Sequence, residues 1–449
     1  MAAELQRRRV MVGVVVGMLL AATACSSGQG DSATETSDTS AAVDQGSTTL
    51  SATTIPRSAI STDVSSSSAT SSSPSTSSPA EPSLAVVAPQ VQAILDASLE
   101  PGVLDWTLHD VSVPATGADI AIRVRGWSDL ILSSGTEVDG VTTYNADATF
   151  NASNIGSSIT QDLAFELIRD GVLDPASPLS TWFPDYPNAD RITVEMLLDE
   201  SNGMGNFDNR EFELVLADPG RTWTLDEVLG ESAQEPSTGE PGVFDSTSHG
   251  TGIIAVARIM ELVTGTSLRD LHRTHITEPL GLEHTYLSDG STPSGFQPGF
   301  FQVNGVPANT ADYPRTAYVT FGSPIWGVDS TLVDLLDYLD VAVHGSDAFG
   351  TALTPANFPS NRLNDGGALI NGAGTGWNGF CPCEPVDGGN RVAFIGRGPN
   401  SVGNTVQMYD FPDEGVSIVV HYNSSEIESF EEIHAVVEQI RALVLPYAQ

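Results

Sequence analysis

Apolar side chains recur along this chain with two different periods, and the change of period divides it. Across residues 88–98, Val91, Ile94, Leu95 and then Leu99 share one face of a 3.6-residue repeat, which predicts a helix. Ile120, Ile122 and Val124 then alternate with their neighbours, and Leu130-Ile131-Leu132 follows after Gly126, so this stretch predicts a strand pair. The middle of the chain returns to helical spacing. Ile159, Leu163, Leu167 and Ile168 make one stripe, Ile253, Val256, Ile259, Met260 and Val263 a second, and Leu332, Leu335, Leu336 and Val341 a third. Towards the end the two-residue period resumes at Val392–Ile395, Val406–Tyr409 and Ser417–Tyr422, the last two joined by a Pro412-Asp413-Glu414-Gly415 turn. A closing helix carries Ile427, Phe430, Ile433, Val437, Ile440 and Val444. Strands at both ends around a helical middle predict an α+β fold: an antiparallel sheet with the terminal helices on one face and a helical lobe beside it. The groove between lobe and sheet is the expected ligand site.

The first residues follow neither period. Arg7, Arg8 and Arg9 precede an apolar run, Val10 to Leu20, too short to span a bilayer, and Ala21-Ala22-Thr23-Ala24 leads directly to Cys25. This reads as a lipoprotein signal peptide over 1–24 with Cys25 as the acylated residue, each buried methylene contributing about 0.8 kcal/mol of anchoring. Residues 25–83 are Ser, Thr, Ala, Asp and Pro with almost no large apolar side chains, a composition that does not offset its chain entropy. They are expected to form a disordered stalk with an r.m.s. span on the order of 40 Å. The domain itself is assigned to 84–449.

Charge and cysteine content narrow the partners. The chain has 57 acidic residues against 18 basic ones, all arginine, for a formal net charge of −39. Such a surface repels nucleic acid, so none is expected as a partner. Beyond Cys25, only Cys381 and Cys383 remain. In an oxidising compartment the Cys-Pro-Cys pair is expected to close a small strained disulfide, with two free thiols as the alternative. No metal or cofactor is expected. His272 and His275 with His284 superficially imitate a metal site, but three-residue spacing on a helix is the plainer reading.

Several segments carry a resemblance. Asp147-Ala-Thr-Phe-Asn-Ala-Ser-Asn-Ile-Gly-Ser157, Leu167-Ile-Arg-Asp-Gly171, Leu179-Ser-Thr-Trp-Phe-Pro184, Ile192-Thr-Val-Glu-Met-Leu-Leu198, Ser201-Asn-Gly203, Glu278-Pro-Leu-Gly-Leu282 and Trp326-Gly-Val-Asp-Ser-Thr331 occur in the order and spacing of the serine β-lactamase-related family. The chain resembles that family over roughly residues 88–447. The family comprises class C β-lactamases, D-alanyl-D-alanine carboxypeptidases and esterases of the same fold. The resemblance implies a Ser-x-x-Lys pair at a helix start, a Tyr-x-Asn relay, and a Lys-Thr-Gly or His-x-Gly on an edge strand, because an unactivated serine is a weak nucleophile at neutral pH.

At all three places this chain departs from the pattern. Counted without gaps from Phe150 to Gly171, the serine position falls on Asn154 and the lysine position on Ser157. A shifted register offers Ser158-Ile-Thr-Gln161, which restores a serine but sets Gln where Lys belongs. The plainer reading of Ser158 and Gln161 is a helix capping box. The tyrosine motif falls near Ser246-Thr-Ser-His-Gly250, a stretch without tyrosine, where His249 stands near the asparagine position and reads more simply as a turn or surface residue. The third motif falls within Phe394-Ile-Gly-Arg-Gly-Pro-Asn400, where Gly396, Arg397 and Gly398 are the cleft-binding candidates. Arg397 offers a carboxylate fork or is a solvated loop residue. The chain contains no lysine, so no displaced Ser-x-x-Lys exists.

The expectation is therefore a lipid-anchored protein on the outer face of the cytoplasmic membrane, catalytically impaired, that acts by binding. Peptidoglycan stem peptides or an envelope protein are the expected partners. The alternative is an active serine hydrolase of esterase, β-lactamase or carboxypeptidase type. It would use Ser157 or Ser158 as nucleophile, His249 as base, and Asn154 or a backbone amide as oxyanion donor.

Overall fold

The computed structural model describes residues 83–108, 110–243, 249–303, 305–344, 385–386, 391–392, 395–397, 400–411, 414–427 and 430–448. Cys25, Cys381, Cys383 and Gly398 lie outside the described residues, as do the proposed signal peptide, the stalk up to residue 82, and the side chains of His249 and Arg397.

Helix α1 (Ala88–Ser98) precedes strands β1 (Gly117–Val124) and β2 (Leu130–Gly135). A two-residue strand β3 (Phe150–Asn151) runs into α2 (Ile155–Arg169), and the middle contains α3 (Glu211–Ala217), α4 (Leu225–Ser232) and α5 (His249–Thr264). The hairpin β4 (Phe300–Val303) and β5 (Val306–Asn309) leads to α6 (Thr316–Phe321), α7 (Ser323–Trp326), β6 (Val328–Ser330) and α8 (Leu332–His344). Strands β7 (Ile395–Arg397), β8 (Asn404–Phe411) and β9 (Val416–Tyr422) and helix α9 (Phe430–Val444) follow.

The main sheet runs β7-β8-β9-β1-β2, every pair antiparallel. Its centre joins the two ends of the domain, with Ile120 opposite Val420 and Ile122 opposite Ile418. The two-residue period assigns the faces. Ile120, Ile122, Val124, Ile418, Val420 and Tyr422 meet Val91 and Leu95 of α1 and Ile433, Val437, Ile440 and Val444 of α9. Ala121, Val406, Met408 and Val419 point the other way, into the core shared with α2, α5 and α8. Helix α9 shows why it folds here: its apolar positions recur every three to four residues, and each such buried side chain contributes about 1.5–3 kcal/mol. The alternation at 120–124 and 406–422, the helical stripes and the closing helix agree with the expected architecture. The expected strand at Val392–Ile395 does not run through, since Val392 pairs with Pro385 in a separate ribbon while Ile395 starts β7, and Ile427 precedes α9.

Candidate functional site

The nucleophile position of the resemblance lies where β3 turns into α2, and the turn is built from side chain to backbone bonds. Strand β3 pairs with β6, Asn151 facing Asp329. Ser153 follows in left-handed backbone at φ 58°, a conformation that L-residues other than Asn and Asp rarely adopt. Its N–H donates to Asn151 Oδ1 at 3.1 Å, and Asn151 Nδ2 donates to the Trp326 carbonyl at 2.8 Å. Helix α2 then starts at Ile155, with Asn154 as the residue before it.

The helix is clamped tightly beyond this point. A Cβ on Gly156 would sit 2.4 Å from the Ile325 carbonyl oxygen, so α2 approaches α7 with no side chain between them. One turn on, Thr160 Oγ1 donates to the Pro324 carbonyl at 2.7 Å. Ser157 and Ser158 are fully buried, and Asn154 is half-buried. Ser157 Oγ donates to the Asn154 carbonyl at 2.6 Å. The expected capping box does not form: Ser158 lies inside the helix, and Gln161 Nε2 donates instead to the Leu198 carbonyl at 2.9 Å. The left-handed turn at Ser153 starts the helix about one turn earlier than that box requires. A capping box does form at α4, between Thr224 and Glu227.

Of the expected second motif, Ser246, Thr247 and Ser248 lie outside the described residues, and aromatic rings pack beside Gly250. His249 opens α5. The following Gly250 has its missing Cβ 2.3 Å from Phe207 Cε1, so the Phe207 ring occupies the space a side chain there would need. Phe207 stacks on Trp326 at 5.3 Å, and Trp326 stacks on Tyr318 at 5.4 Å. Tyr318 Oη accepts the Val402 N–H at 3.2 Å, tying the stack to the segment between β7 and β8. Stacked rings hold walls apart and exclude water. Gly396 and Arg397 lie on β7, the edge strand, paired with Tyr409 and Met408.

Two buried polar groups border this corner. On the lobe-facing side of the sheet, His421 Nδ1 lies 3.0 Å from Asp119 Oδ1 and Nε2 lies 2.9 Å from Asn404 Oδ1, while the Phe150 ring stacks on the imidazole at 3.9 Å. Burial pushes the Asp119 carboxyl up from the usual range, and His421 beside it opposes that rise. Second, Arg315 Nη2 donates to Asp329 Oδ1 at 2.5 Å and to Ser288 Oγ at 2.9 Å. Burial raises the Asp329 carboxyl as well, against the pull of Arg315. Arg315, Asn404, Glu211, Phe296, Phe301 and Tyr318 line a small pocket of about 40 Å³. Sequence reasoning missed Arg315, Phe207 and Tyr318. Arg315 and Tyr318 stand three residues apart, but Phe207 lies far upstream of both, with no motif spacing to join them.

His272 and His275 make contacts within the helical lobe. His272 is buried with Nε2 3.2 Å from Thr160 Oγ1, and desolvation lowers its pKa to about 4. His275 Nδ1 lies 3.3 Å from Glu166 Oε1. Among the described residues, no three His, Cys, Asp or Glu side chains gather as a metal site would require.

An antiparallel sheet closed by the domain's two ends, with a helical lobe whose α2 starts at the sheet's border, defines the serine β-lactamase-related fold. The family profile named Beta-lactamase matches residues 159–441, and the chain belongs to that family. The matched stretch begins just beyond Asn154, Ser157 and Ser158. The fold is shared with a D-amino acid amidase from Ochrobactrum anthropi SV3, with a TM-score of 0.61 at 21% identity over 80% of this chain and 99% of that one. It is shared also with a penicillin-binding protein from Bacillus halodurans, with a TM-score of 0.57 at 17% identity over 78% and 99%. An unguisins hydrolase from Aspergillus violaceofuscus is 25% identical over 203 residues, 43% of this chain and 34% of that protein. The match therefore spans about a third of that relative's length.

Proposed function

We propose that this chain is a lipid-anchored envelope protein whose β-lactamase-related domain binds its ligand without turning it over. The observation that carries the reading is the corner at the start of α2. An amide, Asn154, stands at the nucleophile position, and Ser157, at the lysine position, donates its hydroxyl to the Asn154 carbonyl. Ser157 and Ser158 are sealed from solvent, so no substrate carbonyl reaches either hydroxyl without movement of α2. Loss of one member of a catalytic unit costs on the order of 10⁶ in turnover, and further losses then matter little. Peptidoglycan stem peptides or an envelope protein are the partners that suit a domain held outside the membrane by Cys25.

The hydrolase relatives favour a second reading, an active serine hydrolase that uses Ser157 or Ser158 with His249. Hydrolysis of an aryl ester, a cephalosporin and a D-amino-acid anilide separates the two. The binding reading predicts rates equal to those of a Ser157→Ala/Ser158→Ala variant. A rate that the double substitution abolishes contradicts it.

A further inference from the structure

The pocket lined by Arg315 and Phe301 holds one charged group that the fold leaves unpaired. Glu211, the first residue of α3, lines it and is 8% exposed. Its carboxylate has no hydrogen bond or ion pair among the described residues. Unlike Asp119 Oδ2 and Asp329 Oδ2, its oxygens are not shut away from open space. The other polar side chains of the lining are engaged. Asn151 uses both ends of its amide at the α2 corner, Thr310 Oγ1 accepts the Gly299 N–H at 2.9 Å, and Asn404 Oδ1 meets His421. Arg315 turns Nη2 to Asp329 and Ser288 while its other nitrogens are sealed, so its charge is matched by Asp329 and not by Glu211. Burial first, and then the Asp208 carboxyl, push the Glu211 carboxyl well above the usual carboxylate range. A buried carboxylate without a partner is costly, and it takes up either a proton or a cation. The remaining walls are apolar or aromatic, among them Tyr318 and the Phe301 and Tyr313 rings, which meet edge to face at 5.7 Å.

We propose that this pocket binds the ammonium end of a small aliphatic amine, its N–H groups donating to the Glu211 carboxylate and its hydrocarbon lying against Phe301, Tyr313 and Tyr318. Hydrogen bonds between ionised partners are roughly twice as strong as neutral ones, and aromatic faces attract a cation that approaches them. A volume of about 40 Å³ holds roughly three water-sized groups, which suits the end of a primary amine and is too small for a quaternary one. The 449 residues include no lysine, so neither this chain nor a second copy offers an ammonium side chain to the site. The assignment rests on the binding reading above and names its ligand class.

The test is a ligand-observed NMR titration of the full chain in nanodiscs of zwitterionic lipid with n-propylamine, tetramethylammonium, n-propanol and propionate. It is run at about pH 8, where an alkylamine stays protonated. Binding of n-propylamine at least tenfold tighter than each of the other three supports the proposal. Glu211→Gln, which keeps the shape and removes the charge, is expected to weaken that binding at least tenfold without lowering the thermal midpoint. Leu216→Trp, which fills the space and leaves Glu211 in place, is expected to weaken it as much. Should Glu211→Gln fail to fold, the Leu216→Trp comparison decides. No binding of n-propylamine, equal binding of any of the other three, or indifference to either folded variant overturns the proposal. Equal binding of n-propanol in particular would mean that Glu211 holds a proton instead of a cation. Ester hydrolysis by the same sample that Ser157→Ala/Ser158→Ala abolishes would overturn the binding reading and leave the ammonium site standing. Absence of n-propylamine binding by a chain that hydrolyses nothing removes the site alone.

Discussion

Asp162→Asn tests how the helix that opens at Asn154 tolerates a buried acid. Asp162 lies in α2 with 4% of its surface exposed, and Tyr338 Oη donates to its Oδ2 at 2.5 Å while Oδ1 has no partner among the described residues. Burial lifts its pKa from 3.8 to about 8, against the opposing effect of the Tyr338 hydrogen bond. The folded pKa therefore lies above the unfolded one. Between pH 4 and 8 the folded chain keeps a proton that the unfolded chain has lost, so stability falls as pH rises through that window. At about 1.4 kcal/mol per pKa unit, the full penalty is on the order of 5 kcal/mol at pH 8 and nothing below pH 4. The asparagine escapes the titration but leaves amide hydrogens unpaired, a cost of about 1–3 kcal/mol at every pH. The variant is thus expected to be more stable than the parent by roughly 2–4 kcal/mol at pH 8 and less stable by about 1–3 kcal/mol at pH 4. Urea or thermal unfolding followed by circular dichroism at half-unit pH steps reads the crossover. A difference between the two proteins that stays constant from pH 4 to 8, or changes in the opposite sense, refutes the reasoning.

Three further outcomes follow from the same geometry. Gly250→Asn, which returns an amide near the expected second motif, drives a Cβ into Phe207 and is expected to cost about 1–3 kcal/mol; combination with Phe207→Ala recovers part of the loss from the clash, as double-mutant unfolding would show. His272, with its pKa lowered to about 4 by burial, contributes stability that is complete above pH 6.5 and lost as pH falls towards 4, so His272→Gln is expected to flatten the acid limb of the stability profile. Cys25→Ser is expected to move the chain from the membrane fraction to the soluble one, and retention in the membrane would contradict the lipid anchor.

The fold was legible because its signals are local. Alternation at Ile120, Ile122 and Val124, repeated at Ile418, Val420 and Tyr422, marks residues that share one sheet face whatever their distance along the chain. The resemblance located the α2 corner at Asn154, and the helix does begin just after it. What stayed illegible depends on tertiary contact. Ser158 and Gln161 have the spacing of a cap, yet the turn made by Asn151 and Ser153 fixes the helix start upstream of them. Phe207, Trp326 and Tyr318 form one stack only because α5 presents a glycine and α6 and α7 turn back on each other. Arg315 looks like one more surface arginine in an acidic chain until Asp329, from a separate strand, draws it inward.

The most direct test of the central claim is intact-mass spectrometry of the full chain after incubation with a fluorophosphonate and with a penicillin, alongside evidence that the protein is folded. The account predicts an unchanged mass in both cases, because Asn154 is no nucleophile and Ser157 and Ser158 are sealed within α2. A stoichiometric adduct that peptide mapping assigns to Ser157 or Ser158 would contradict it.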